Sequence, residues 1–300
     1  MIYQNFEQVY DNVKSVGKKA KMAVAAAEDH HTLEAVLKAE EEGIVEPVLV
    51  GSREEIRSIL AQLNKNPDHY QIHHADSFEE AATKSVALIH QKEADFLMKG
   101  KLETATMLKA VVDKENGLGT GRVMSHFVIN KIPTYHKLLV TTDGGMMMYP
   151  TLEEKKSILE NAVETLKKMG YEKPKVAVLA AVEKVNPKMQ ETLDADQLAK
   201  MNAAGEIKDC YVEGPLSFDI AFSKEMAELK GFKSQVAGDA DVFIVPNITA
   251  GNILGKSLVN AAGAQMAGFI VGAKVPIVLT SRGSSAEEKY LSILMSAASV

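Results

Sequence analysis

The chain reads as an α/β protein, with parallel strands covered by helices on both faces of a sheet. Two observations carry this: short apolar runs alternate with segments of helical period, and helix-start signals follow several of the runs. Lys21 to Ala27 reads as a buried strand, followed by a helix over His31 to Glu42. Glu46 to Gly51 is the next strand, and Ser52-Arg53-Glu54-Glu55 offers a capping box for the helix after it. The alternation continues with a strand at Gln71 to His74, a helix from Phe78 to Gln91 and a strand from Asp95 to Lys99. Glycines and a proline break the rhythm after Gly117, until Lys137 to Thr142 resumes it as a strand. Thr151-Leu152-Glu153-Glu154 is a second capping box and opens a helix running to Met169. Strands are expected at Lys175 to Ala180, near Cys210, at Asp241 to Val245 and at Pro276 to Thr280, with a last helix from about Ser285. No low-complexity linker and no fixed-period repeat interrupts the chain, and a domain boundary is expected near residue 135.

Composition narrows the function classes. At 300 residues, 46% hydrophobic and 25% charged, the chain can bury a core without disulfides or a structural metal. The net charge of −6 is interspersed, no basic stripe suits nucleic acid, and Trp is absent. An anionic ligand would therefore need a local pocket. The single cysteine, Cys210, excludes an intramolecular disulfide and a Cys-based zinc site, and reads as a packed strand residue. The N-terminus lacks the apolar core of a signal peptide, and no apolar run approaches the ~18 residues of a membrane span. A cytoplasmic location is the expectation.

Three segments share one design: an apolar strand, a short loop of small or polar residues, then a helix. In a doubly wound sheet such loops lie at the carboxyl ends of strands, where helix amides and partial positive charge attract anions. In PIVLTSRGSSAEEKY the strand delivers Ser281 and Arg282 to the sheet edge, Gly283 permits a close turn, and Ser284 and Ser285 start the last helix. Two hydroxyls, a guanidinium and free amides suit a phosphate or acyl phosphate; the alternative is that the serines only cap the helix, with Glu287 or Glu288 closing a box. In DVFIVPNITAGNILGK, Asn247 and Asn252 can read hydrogen-bonding groups, Gly251 admits a ligand or another backbone, and Lys256 lies further along the helix; the same residues could equally hold only their own turn. In LLVTTDGGMMMYP, Asp143 either orients a substrate or forms an Asx-turn. Lesser candidates are Lys99-Gly100 and Ser125-His126. His30-His31 and His73-His74 are adjacent pairs rather than i, i+4 ligands, so no metal site is expected.

DFLMKG (95–100), SHF (125–127), TDGGMMMYPTLEEK (142–155), VEGPLSFDIAF (212–222), SQVAGDADVFIVPNITAGNILGK (234–256) and PIVLTSRGSS (276–285) together resemble the phosphate acetyl/butyryltransferase family, most of all its short butyryl-type members. The resemblance runs from about residue 20 to the C-terminus. It implies two doubly wound α/β domains with a cleft between them, of isocitrate/isopropylmalate-dehydrogenase-like architecture. With the strand pattern, this gives residues 1–135 plus 281–300 as one domain and 136–280 as the other. It also implies the reaction acyl-CoA plus phosphate giving acyl phosphate plus CoA, with coenzyme A as a substrate and a homodimer or higher homo-oligomer. Ser281 and Arg282 match the residues assigned to transition-state and phosphate binding. Glu288 stands where acetyl-type members have the Asp assigned to deprotonating CoA. Lys99, Gly100, Ser125, Asp143, Asn247, Ala250, Gly251, Asn252, Lys256, Gly283 and Ser284 are the expected substrate contacts. Butyryl-type members usually read SRADS and PNIEAGN, whereas this chain has Gly283 and Ser284 in the first and Thr249 in the second.

No Cys/His or Ser/His pair suggests a covalent acyl-enzyme, so direct transfer in a ternary complex is the expected mechanism. Two rivals are a metal-dependent dehydrogenase of related architecture, which would want clustered aspartates and an Arg-rich site, and a non-catalytic acyl-CoA-binding protein on the same fold.

Overall fold

A computed structural model describes every residue except Met1 and Arg282. In chain order the first elements are α1 (Phe6–Val16), β1 (Ala20–Ala25), α2 (His30–Glu41), β2 (Val45–Gly51), α3 (Arg53–Gln62), β3 (Gln71–His74), α4 (Phe78–His90), β4 (Phe96–Lys99) and α5 (Thr104–Val111). Then come β5 (Ser125–Lys131), β6 (Leu139–Thr142), α6 (Leu152–Lys168), β7 (Lys175–Leu179), α7 (Gln190–Ala203), β8 (Tyr211–Leu216), α8 (Phe218–Phe222) and α9 (Lys224–Leu229). The chain closes with β9 (Val242–Ile244), α10 (Ile248–Asn260), β10 (Gln265–Val271), β11 (Ile277–Val278) and α11 (Ala286–Ala297). Among the described residues no helix is long and apolar enough to cross a membrane.

Local chemistry sets most helix starts. The Asp29 carboxylate accepts from Thr32 N at 2.8 Å and caps α2. Ser52 and Ser77 cap α3 and α4 through the amides of Glu55 and Glu80. At α6 the box is reciprocal: Glu154 N donates to Thr151 Oγ1, and Thr151 N donates to Glu154 Oε2 at 2.7 Å.

The chain forms two compact units. The N/C unit comprises Glu7–Arg122 and Ala267–Val300; the middle unit comprises Val123–Met266 with the residues up to Phe6. The crossings fall after Arg122 and Met266, where the sequence reading places them near 135 and 280. Antiparallel pairings account for the difference: β5 pairs with β6 inside the middle unit, and β10 pairs with β11 inside the N/C unit. The N-terminal segment is tied to the middle unit by Tyr3, whose hydroxyl donates to Met169 O at 3.1 Å while Leu138 N donates to Tyr3 O at 2.9 Å.

In the N/C unit the strand order is β3-β2-β1-β4-β11-β10, parallel as far as β11 and antiparallel at β10. Strand order reverses beside β1, so the carboxyl ends of β1 and β4 flank the switch point where such sheets bind ligands. The strands are buried on both faces, with Met22, Val24, Leu49, Phe96, Leu97 and Ile277 fully enclosed. In the middle unit the order is β5-β6-β9-β7-β8, parallel from β6 onward. Leu139, Ala177, Leu216, Phe243 and Val245 form its core, with the Tyr135 and Phe222 rings stacked at 4.8 Å between centroids.

The amino end of the β6–β9–β7 group is held by a buried charge network. Lys137 Nζ lies 2.6 Å from Asp241 Oδ1, both side chains 3% exposed, and Lys175 N donates to Asp241 Oδ2 at 2.7 Å. Asp239 takes the Lys175 ammonium, His136 Nε2 at 2.8 Å and Lys137 Nζ at 3.0 Å. The GDAD acids of the sequence pattern thus fasten strands together at the end of β9 opposite its loop to α10.

Candidate active site

The sequence-predicted residues fall into two groups, one in each unit. In the N/C unit, β11 delivers the chain to Thr280, which is buried, and Ser281, which is exposed. Ser284 N donates back to Ser281 O at 3.1 Å and closes the loop. Ser281 Oγ and Ser284 Oγ lie 3.2 Å apart, and Ser284 Oγ donates to Glu288 Oε1 at 2.6 Å. A continuous hydroxyl–hydroxyl–carboxylate line results. Ser285 caps α11 by accepting from Glu288 N at 3.1 Å. The capping reading holds for Ser285, while Ser284 links Ser281 to the Glu288 carboxylate. Arg282 lies outside the described residues. A Cβ at Gly283 would meet only Ser281 Oγ, at 3.9 Å, so the described protein leaves open space beside this loop.

Lys99 and Gly100 lie at the carboxyl end of β4, beside the switch point. Lys99 is 6% exposed and donates to the carbonyls of Gly100 (3.0 Å) and Leu102 (3.1 Å). A Cβ at Gly100 would stand 2.2 Å from Ala26 O, so glycine is required where the β4 and β1 loops touch. Glu28, at the end of the β1 loop, escaped the sequence reading. Its carboxylate accepts from Ser52 N at 3.3 Å, and burial raises its pKa against the pull of backbone amides.

In the middle unit the loops after β6 and β9 interlock. Asp143, 2% exposed, accepts from Gly145 N (2.8 Å) and Met146 N (2.9 Å) on Oδ1 and from Met147 N (3.0 Å) on Oδ2. The turn-forming reading of Asp143 is the one the geometry supports. A Cβ on Gly251 would stand 2.7 Å from Gly144 Cα, so Gly251 serves the approach of another backbone. Asn247 caps α10 by accepting from Ala250 N at 3.0 Å, and exposed Asn252 reaches Gly144 O at 3.5 Å. Beside Asn247 and Pro246 opens a cavity of about 560 Å³, lined also by Tyr149, Leu152, Leu193 and the buried pair Lys155–Asp194 (2.5 Å). A larger groove of about 820 Å³ lies between α4 and α5 and holds none of the candidate residues.

Two expected contacts stand apart from both loop groups. Ser125 is fully buried on β5, its hydroxyl held by Asn161 Nδ2 at 3.3 Å, so packing rather than substrate contact accounts for it. Lys256 is exposed on α10, and its ammonium makes no hydrogen bond among the described residues. His126 packs on Gly145, where a Cβ would come within 2.5 Å of Nδ1. Burial depresses its imidazole pKa, with the Asp143 carboxylate opposing. Cys210 is buried and its thiol is pushed up to about 12 by burial, which makes it a packing residue. On the exposed face of α2, His30, His31 and Glu34 bring three ligand atoms within 4.8 Å of one another, a grouping that adjacency in sequence conceals because Glu34 completes it one turn on.

The family model described as "Phosphate acetyl/butaryl transferase" matches residues 73–297. A phosphate butyryltransferase of Clostridium acetobutylicum is 43% identical over 294 residues, 98% of this chain and 97% of that protein. A phosphate acetyltransferase of Thermotoga maritima is 46% identical over 281 residues, 94% of this chain and 95% of its own length. The crystal structure of a branched-chain phosphotransacylase from Enterococcus faecalis superposes with a TM-score of 0.81 at 32% identity, covering 93% of this chain and 99% of that one. Similarity of this depth spans both units and takes in the Asp143, Asn247 and Ser281 loops together, and on it the chain belongs to the phosphate acetyl/butyryltransferase family.

Proposed function

We propose that this protein exchanges a short acyl group, butyryl or acetyl, between coenzyme A and inorganic phosphate by direct transfer in a ternary complex. The observation that carries the mechanism is the Ser281–Ser284–Glu288 line at the start of α11. In the direction that makes acyl-CoA, Glu288 takes the thiol proton, directly or through the Ser284 hydroxyl. A free thiol near pKa ~8.5 needs such help at neutral pH. The thiolate attacks the acyl-phosphate carbonyl, the C–S bond forms, the C–O bond to phosphate breaks, and phosphate leaves. Ser281 donates to the developing oxyanion, worth about 10²–10³ in rate for one such donor. Arg282 is assigned to the phosphate, for which a planar fork of donors is suited. Holding both reactants contributes roughly 7–11 kcal/mol, more than the base supplies. In the reverse direction a phosphate oxygen attacks the thioester, and the departing thiolate recovers its proton from Glu288.

Lys99 and Gly100 are assigned to the same substrates. The Asp143–Gly145 loop, with Asn247, Ala250, Gly251 and Asn252, is assigned to acyl-CoA, Asp143 acting by fixing the loop. Coenzyme A is a substrate here, and a cytoplasmic homo-oligomer is the working form. The test is simple: purified protein should release free thiol from butyryl-CoA only when phosphate is added, with hydroxylamine trapping the acyl phosphate. Phosphate-independent release would make it a thioesterase and overturn the reading.

A further inference from the structure

Lys289 has no role in the scheme above, yet it is a buried cation bonded to the Ser281 loop. It is 6% exposed in the first turn of α11, at the amino end of a helix, where a positive charge is disfavoured. Its ammonium donates to Ser284 O at 3.0 Å. Among the described residues no other hydrogen-bond partner and no carboxylate within ion-pair distance meets its remaining two donors. Asp29, the cap of α2, lies within reach of its field. Burial raises the Asp29 pKa, but the hydroxyl and amide of Thr32 and the field of Lys289 outweigh that and lower it. A charge this deep costs several kcal/mol unless something compensates it. One carbonyl and a partly spent carboxylate do so incompletely.

We propose that Lys289 is a positioning residue for phosphate: it holds the Ser284 carbonyl so that the Ser281 and Ser284 hydroxyls stay on the open side of the loop, and it supplies a buried positive charge that an inorganic phosphate or phosphoryl group on that loop neutralises. The inference rests on the assignment of phosphate to the Ser281 loop. The serines carry no charge, and beside the Arg282 assigned to the phosphate a fixed ammonium bonded to the Ser284 carbonyl adds to the positive potential where the anion would sit. A dianion then gains from Lys289 without touching it.

Two variants test this in opposite directions. Lys289→Met keeps most of the side-chain volume and removes the charge. Its KM for phosphate should rise about tenfold or more while the KM for butyryl-CoA changes less than about threefold, and Lys289→Arg should restore part of the loss. Asp29→Asn keeps a competent helix cap and removes the opposing charge, so its KM for phosphate should fall about two- to fivefold. The second measurement needs no turnover: the thermal shift given by inorganic phosphate alone should shrink in Lys289→Met and grow in Asp29→Asn. If Lys289→Met does not fold, the Asp29→Asn shift decides. An unchanged phosphate KM and thermal shift in both variants, or equal losses for phosphate and butyryl-CoA, would overturn the proposal. Wild-type protein that is stabilised by phosphate yet transfers no acyl group would instead count against the acyltransferase reading and leave the role of Lys289 standing.

Discussion

At the scale of single residues, Glu288 and Ser281 separate two kinds of contribution. Glu288 does not close a capping box; its carboxylate is taken by the Ser284 hydroxyl at 2.6 Å. Glu288→Gln should therefore lower kcat by about 10²–10⁴ and flatten the acidic limb of the pH–rate profile, where wild-type activity falls as the carboxylate protonates. Ser281→Ala should lower kcat by about 10²–10³ and leave that limb in place. A Glu288→Gln enzyme with wild-type turnover and pH dependence would show that the proton leaves by another route. The Ser281–Ser284 loop was legible in the sequence because a strand, a loop of small residues and a helix start follow one another within a dozen positions. That pattern gave Glu288 only a capping role, and its role as base came from the family resemblance. Lys289 was legible in neither. A lysine in the first turn of a helix ordinarily lies in water, and only the burial of all of α11 from Lys289 to Ser296 makes it a buried charge.

At the scale of elements, the loops after β6 and β9 act as one piece because two glycines let them touch. Gly251→Ala would put a methyl 2.7 Å from Gly144 Cα and 2.7 Å from Val245 Cγ2. That overpacking should cost about 1–3 kcal/mol of stability, and the displaced turn should raise the KM for acyl-CoA. Gly283→Ala is the control: among the described residues its methyl would meet only Ser281 Oγ at 3.9 Å, so stability should stay within about 0.5 kcal/mol. Equal melting temperatures for Gly251→Ala and wild type would remove this account of the paired loops. Capping residues made α3, α6 and α11 legible in advance. β5 and β10 escaped, the first behind the glycines at 117, 119 and 121, the second through Gly268 at its centre. α7 escaped because Thr192 and Asp194 are among its buried positions and blur its apolar stripe.

At the scale of the molecule, strand–helix alternation was enough for the α/β class, while the crossings between units depended on antiparallel pairs that alternation does not announce. Stability has a charged component that pH can address. Burial would raise the Asp239 carboxyl, but hydrogen bonds from Lys175, His136 and Lys137 hold it well below the ordinary carboxylate range, and Ser217 and Lys230 hold Asp219 at about 2. Depressed carboxylates contribute stability that is fully present above their unfolded value of about 3.9 and is lost as pH falls through their folded values. Denaturant midpoints should thus drop steeply below about pH 4, and less steeply in Asp239→Asn. Lys137→Met, which leaves Asp241 buried without its ammonium, should cost about 3–5 kcal/mol at neutral pH. A neutral effect would show that the pair is not needed to hold β6 to β9. Direct transfer to phosphate can be followed by incubating the protein with butyryl-CoA and isotopically labelled CoA, with and without phosphate. Label should enter butyryl-CoA only when phosphate is present, through reversal of acyl-phosphate formation. Label entering without phosphate would demand an acyl-enzyme, and no label entering under either condition would contradict acyl transfer itself.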